Sequence, residues 1–207
     1  MDNPWKHIPL SDYERHMSDP SVGQSVVLQK IFRDQISAYQ PASVTIFGIG
    51  AGDGMEVIDP SVTKIVTGID VNGDYLKQCA DRYKRQDYSL QLIEADVNTT
   101  IINMRPADMF IANLFLEYVD RKKFLSLIRE CGHVGTIISV TIQQNNGESF
   151  VSRTNIPTLN DLARYHRDVD RDDLIASMKE SGCILLAEKK YGLPGKKEFV
   201  RCDFIMK

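Results

Sequence analysis

The chain has 207 residues, 43% of them hydrophobic and 26% charged, with a formal net charge of −3. This length suits one large domain whose core needs no metal or disulfide staple. The charge excludes a general attraction to nucleic acid or an anionic membrane, and no apolar run is long enough to span one, so neither is an expected partner.

Residues 1–20 are polar yet carry Trp5, Tyr13 and Met17, and their start is too polar for a signal peptide, so a cytoplasmic location is expected. Asp19 followed by Pro20 predicts a capped helix start, and Leu28, Ile31, Phe32 and Ile36 then recur at helical spacing. Residues 1–40 therefore read as an N-terminal helical cap. After Pro41 the texture changes. "SVTIFG" (43–48), "KIVTGID" (64–70), "LQLIEAD" (90–96), "DMFIANLF" (108–115) and "GHVGTIISVTIQ" (132–143) are short apolar runs rich in β-branched residues. Amphipathic helical patterns lie between them, at Leu76, Cys79, Ala80 and Tyr83 and again at Phe124, Leu127, Ile128 and Cys131. Such alternation predicts βαβ units and a parallel sheet covered on both faces.

Asp170 predicts the cap of a helix through Leu174, Ile175 and Met178 that stops at Gly182. "CILLAEKKY" and "EFVRCDFIM" then flank "GLPGKK", where Pro194 and Gly195 suit a type II turn. Strands joined so tightly must be antiparallel. The predicted fold is a three-layer α/β seven-stranded sheet, mostly parallel with an antiparallel C-terminal hairpin. The four cysteines, Cys79, Cys131, Cys183 and Cys202, lack metal-ligand spacing and read as core residues of a reducing compartment.

"TIFGIGAGDGMEVI" (45–58) places four glycines in seven positions just after the first strand. Ligands of such sheets bind beyond the carboxyl ends of the strands, where glycine permits positive φ and the next helix offers free N–H groups. A dinucleotide fingerprint fails here, because the sixth position is Asp53 counted from Gly48 and Met55 counted from Gly50. No Gly-Lys-Ser/Thr follows, which excludes a P-loop; a plain structural turn remains open. Asp70 closes the second strand 22 residues after Gly48, where a carboxylate can accept from both ribose hydroxyls. A helix cap is the plainer reading, although Asn72 suits that role better. Asp96, ending the third strand in "EADV", can accept from an adenine amino group with the Val97 N–H facing the ring, or can simply turn the chain.

Taken together, "GIGAG", "GIDVN", "EADV", "ADMFIANLFLEYV" and the final hairpin resemble the class I S-adenosylmethionine-dependent methyltransferases over about residues 43–207. The resemblance implies a Rossmann-like fold with the last strand between the fifth and sixth. It also implies S-adenosyl-L-methionine as cofactor. Gly48, Gly50 and Gly52 would face its methionine part, Asp70 would hold the ribose and Val71 would pack on the adenine. Asp96 and Val97 would read the adenine edge, and Asn113 and Leu114 would border the transferring methyl. Ile46 departs from the family, which usually has an acid there that helps hold the cofactor's amino group.

Methyl transfer from a sulfonium is an in-line displacement, so alignment supplies much of the rate. A general base adds roughly 10²–10⁴-fold, and only for an acceptor that arrives protonated. Glu117, beside Tyr118 after the fourth strand, is the candidate base or binder of a cationic acceptor; a solvated loop carboxylate is the alternative. His16 and His166 titrate in the right range, with surface histidines as the plain reading. No cluster has metal-ligand spacing, and no metal is expected. "NLFLEY" in place of "NPPY" resembles small-molecule enzymes of the family.

Residues 143–166 are too long and polar for a plain connection. With the N-terminal segment they are expected to roof the acceptor, with Tyr13, Met17, Ser149, Arg153 and Tyr165 as candidate lining; Arg153 would meet an acceptor carboxylate, with a lone surface arginine as the plain reading. The division expected is a cap or lid at 1–40 and a methyltransferase domain at 41–207, with 143–166 as a substrate-roof insertion. The reading is a methyltransferase for a small-molecule acceptor, with a protein acceptor as the nearest variant. The alternative from another class is a cofactor-binding protein without transferase activity, and a nucleotide-dependent oxidoreductase stands third. Acceptor identity and oligomeric state stay open.

Overall fold

The computed structural model describes residues 3–152 and 154–207. Its strands are β1 (Ser43–Phe47), β2 (Ile65–Asp70), β3 (Ser89–Glu94), β4 (Met109–Asn113), β5 (Ile137–Gln144), β6 (Cys183–Gly192) and β7 (Glu198–Met206). They form one seven-stranded sheet in the order β3-β2-β1-β4-β5-β7-β6. Strands β1 to β5 pair in parallel, and β7 runs antiparallel between β5 and β6. The expected sheet and its terminal hairpin are both present, and Gly195 takes φ 78° in the connecting turn.

Helices cover both faces, which is why the central strands read as unbroken apolar runs. On one face Phe32 and Ile36 of α2 (Gln24–Tyr39) and Leu76 and Cys79 of α3 (Gly73–Tyr83) pack on Val44, Ile46, Val66 and Ile111. On the other, Phe124 and Ile128 of α4 (Arg121–Cys131) and Leu174 and Met178 of α6 (Arg171–Glu180) share a core with Phe47, Phe110, Ile138 and Phe204. β6 lies at the sheet edge and exposes Glu188, Lys189 and Lys190, charges that discourage pairing with another chain. All four cysteines are buried and free. Asn72 caps α3 by accepting from the Asp74 and Tyr75 N–H groups, and Asp170 caps α6 in the same way from Asp172 and Asp173.

Two local expectations are corrected. Asp19 does not cap α2. The segment before it already forms α1 (Leu10–Ser18), and the Asp19 carboxylate folds back onto the Ser21 N–H at 2.8 Å and hydroxyl at 2.6 Å. Asp-Pro-Ser thus makes a side-chain-closed turn, and α2 starts only at Gln24. The helix expected after the glycine loop is also missing. Only a three-residue 3₁₀ turn, Met55–Val57, stands between β1 and β2, because successive left-handed glycines break helical propagation and Asp59-Pro60 closes the segment. Among the described residues no helix is long and apolar enough to cross a membrane, and no group of three or more His, Cys, Asp or Glu side chains is placed to hold a metal.

Candidate active site

A cavity of about 130 Å³ opens where β1, β2 and β3 end. Gly48, Gly50, Asp70, Val71, Asp96 and Val97 line it, and Asn113 and Leu114 join them from the exit of β4. Gly52 faces an adjoining cavity of about 100 Å³ instead. The glycines answer to two separate needs. A Cβ on Gly50 would meet nothing within 4 Å, so its backbone lies bare to the cavity at φ 57°. A Cβ on Gly52 would lie 2.7 Å from the Tyr83 ring and 3.0 Å from the Cys79 sulfur, so that glycine lets the loop pack on α3.

Asp70 is 9% exposed and braces the loop: Oδ2 accepts from Gly50 N at 2.8 Å and Oδ1 from Asn72 N at 2.9 Å. Burial pushes its carboxyl up, opposed by the N–H groups of Asn72, Gly50 and Val71. With four lone-pair sites and two of these donors placed on separate oxygens, the carboxylate retains capacity for a ligand's hydroxyls. Asp96 accepts from Asn3 Nδ2 at 3.0 Å and from Asn98 N at 2.9 Å. Asn113 is held by a reciprocal amide pair with Gln35 of α2, at 2.9 and 3.0 Å, and by the Thr141 hydroxyl at 2.7 Å. Gln35 was missed in the sequence, yet it left a signal: a polar residue on the buried stripe of Ile31, Phe32 and Ile36.

Above this floor lies a roof made of two distant segments. Ile8 packs with Ile156, Leu159 and Leu162, and Trp5, Tyr13, Tyr118 and Val151 join the cluster. Trp5 stands edge-on to Tyr13 at 5.5 Å and to Tyr118 at 5.1 Å. Thr158 donates to Asp12 at 2.8 Å, and the Asn72 amide reaches the Trp5 carbonyl at 2.8 Å. Tyr13 and Met17 line both cavities. Tyr165 and Ser149 line neither: α5 (Leu162–Tyr165) turns Leu162 inward, and Ser149 sits exposed just beyond the end of β5. Arg153 lies outside the described residues.

Glu117 requires a correction, because it does not line either cavity. It is fully buried behind the wall, where Oε1 accepts from Gln143 N at 3.0 Å and its carbonyl accepts from Arg167 N at 2.8 Å. Oε2 has no partner among the described residues, and burial raises the carboxyl to about 7. The solvated-loop alternative fails with it; the adjacent Tyr118 is the residue that faces the cavity. His166 does not line the cavity but stacks at 4.0 Å on Phe150, which does. His16 is no surface histidine. It is 7% exposed in the cavity wall with Nδ1 2.7 Å from the Thr154 hydroxyl, and burial, then the charge of Lys197, lower its pKa against the opposing pull of Asp19.

Trp5 Nε1 and the Tyr75 hydroxyl, both on lining residues, are buried without a partner among the described residues. Unmet donors, a bare glycine backbone and a carboxylate with spare lone pairs fit a polar, hydroxyl-bearing nucleoside ligand.

Residues 44–135 match the family described as Methyltransferase domain. Among solved structures the chain is similar to the N-methyltransferase NodS from Bradyrhizobium japonicum WM9 in complex with S-adenosyl-L-homocysteine, at TM-score 0.69 and 15% identity over 99% of each chain. It is also similar to magnesium protoporphyrin IX methyltransferase (ChlM) from Synechocystis PCC 6803 with bound S-adenosylhomocysteine, at TM-score 0.69 and 10% identity over 98% of this chain and 96% of that one. A third is the glycopeptide N-methyltransferase MtfA with sinefungin, at TM-score 0.63 and 13% identity over 86% of each. No curated protein sequence matches the chain. The chain therefore has the class I methyltransferase fold. The chain thus joins a methyltransferase-domain match over residues 44–135 to that fold.

Proposed function

We propose that the chain methylates a small molecule held between the strand ends and a roof made of the N-terminal segment and residues 143–166. One observation carries this reading: a single cavity runs from Gly50, Asp70 and Asp96 to Trp5, Phe150 and Leu159, so cofactor end and acceptor end share one lining. At the roofed end the lining is aromatic, aliphatic and amide, with Gln24 donating to Gln143 at 2.7 Å, which suits an uncharged acceptor of modest size. By their names, ChlM acts on magnesium protoporphyrin IX and MtfA on a glycopeptide, which favours acceptors below the size of a folded protein.

S-adenosylmethionine would supply a methyl group already activated by a positive sulfur. Asp70 would hold the ribose, Val71 the adenine face, and Asp96 with Val97 the adenine edge. The backbone at Gly48, Gly50 and Gly52 would pass the methionine part, beside Asn113 and Leu114. Gln35 and Thr141 fix the Asn113 amide, so the β4 exit is set before ligand arrives. His16, kept neutral, would take a proton at Nε2 from an acceptor that brings one. Trp5, Tyr13 and Tyr118 would exclude water. Residues 1–40 act in this reading as cap and 41–207 as catalytic domain.

The test is incubation with methyl-labelled S-adenosylmethionine and a cell extract, followed by ultrafiltration. Label is expected in the small-molecule filtrate; label confined to retained protein would favour a protein acceptor.

A further inference from the structure

The adjoining cavity runs beneath the glycine loop from Gly48 to Asp53 and is closed by Ser25, Leu28, Gln29 and Phe32 of α2. It shares Tyr13, Met17, Gly48, Gly50 and Asn113 with the first, so the two meet at those residues. Ile46, where the resemblance to the methyltransferase family implies an acid that helps hold the cofactor's amino group, is 7% exposed, packs into the apolar core and offers no charge. Asp53 carries the one charge among the residues lining this second cavity. Resting on the S-adenosylmethionine reading above, we propose that Asp53 binds the α-ammonium of the cofactor's methionine part, taking over a role that Ile46 leaves empty.

Geometry and field both point that way. Asp53 Oδ1 accepts from Arg82 at 2.7 Å, while Oδ2 has no hydrogen bond among the described residues. Arg82 bonds Glu14 at 2.5 Å with its other amine, and Glu56 adds its charge to the field at Asp53. Two carboxylates on one guanidinium, with the Glu56 charge acting on Asp53, leave the local charge negative. The same sign reaches the junction of the cavities: after burial itself, the charges of Asp53, Asp70 and Glu14 are what push the Tyr13 phenol up. A negative field there favours an ammonium and a sulfonium alike. Partial desolvation outweighs the Arg82 charge and holds the Asp53 carboxyl above its usual range, and a second cation at Oδ2 would oppose that rise. Ser25 and Gln29 supply neutral donors for the neighbouring carboxylate of an amino acid.

Calorimetry with three probes tests the assignment: S-adenosylhomocysteine, its analogue with hydrogen in place of the α-amino group, and methylthioadenosine, which lacks the whole amino-acid part. In Asp53→Asn, S-adenosylhomocysteine should bind about tenfold more weakly, the moderate effect expected of a charge whose side chain is 47% exposed. Methylthioadenosine should bind as before, and removing the amino group should weaken binding in the wild type but not in the variant. Equal losses for all three probes would mean that Asp53 only shapes the loop, and unchanged affinities would mean that it does nothing; either result overturns the proposal. Asp53→Ser, with circular dichroism as a folding control, guards against a local misfold. A wild-type protein that binds none of the probes would defeat the cofactor reading itself.

Discussion

The floor and the roof of the cavity are built on opposite principles. The floor is backbone: strand ends, a glycine loop and two carboxylates braced by N–H groups one or two residues away or across one strand. The roof is side chains meeting over long separations, as Thr158 meets Asp12 and Asn3 meets Asp96. Such a floor is fixed by the sheet that builds it, whereas such a roof can change its lining without disturbing the sheet. On the proposed reading, cofactor and acceptor preference are held by separable parts.

The comparison breaks most sharply if the roof is removed. Deleting residues 1–18 is expected to abolish methyl transfer while the remaining domain stays folded and still binds S-adenosylhomocysteine, because Gly50, Asp70 and Asp96 lie elsewhere. Labelled-methyl transfer and calorimetry on the truncated chain check both halves, and transfer at the full-length rate would refute the roof.

The seam between the parts gives the next effect. Glu117 joins the exit of β4 to Gln143 and Arg167, and its carboxyl is raised from 4.5 to about 7. Between those values the folded protein binds more protons than the unfolded chain, so stability falls as pH rises from about 4.5 towards 7. Glu117→Gln should remove that dependence and gain about 2–3 kcal/mol at pH 8 relative to wild type. Urea melts at pH 5 and pH 8 measure it; parallel wild-type and variant profiles would refute the shift.

Within the floor, Asp70→Ala should weaken S-adenosylhomocysteine by about 2 kcal/mol or more, since hydrogen bonds to a charged group contribute roughly 1.5–3 kcal/mol each. Unchanged affinity in calorimetry would remove Asp70 from the site. The smallest contrast sets two glycines apart. Each Ala substitution pays about 1–2 kcal/mol for a left-handed backbone, but only Gly52→Ala adds a clash with Tyr83 and Cys79. Gly52→Ala should therefore melt well below Gly50→Ala, while Gly50→Ala should lose more ligand affinity than its melting temperature implies. The reverse order would invert the roles assigned to them.

The floor was legible in the sequence because its parts are local. Apolar runs set the strands, and glycines and acids punctuate their ends at countable spacings. Asn72 and Asp170 could be read as caps for the same reason. The roof was legible only as a long polar insertion and a polar N-terminus. That Trp5 would stand against Tyr118, or that His16 would face inward, depends on contacts over a hundred residues apart that no periodicity encodes. Glu117 shows the limit within one loop: position after β4 singles out a pair of neighbours, but which of the two faces the cavity is decided by Gln143 on another strand. Asp19 misled because Asp-Pro serves a helix start and a closed turn equally well.

The short crossing from β1 to β2, with no helix of its own, has a consequence for how the protein emerges during synthesis. The sheet face it leaves bare is covered by α2, which is made before any strand. Phe32 and Ile36 meet Val44 and Ile46 early but Met109 and Ile111 much later, and Gln35 finds Asn113 only 78 residues on and Ser139 only 104 residues on. The inward stripe of an amphipathic helix thus lacks its full cover until more than half of the chain is made, an interval in which exposed apolar surface favours wrong partners.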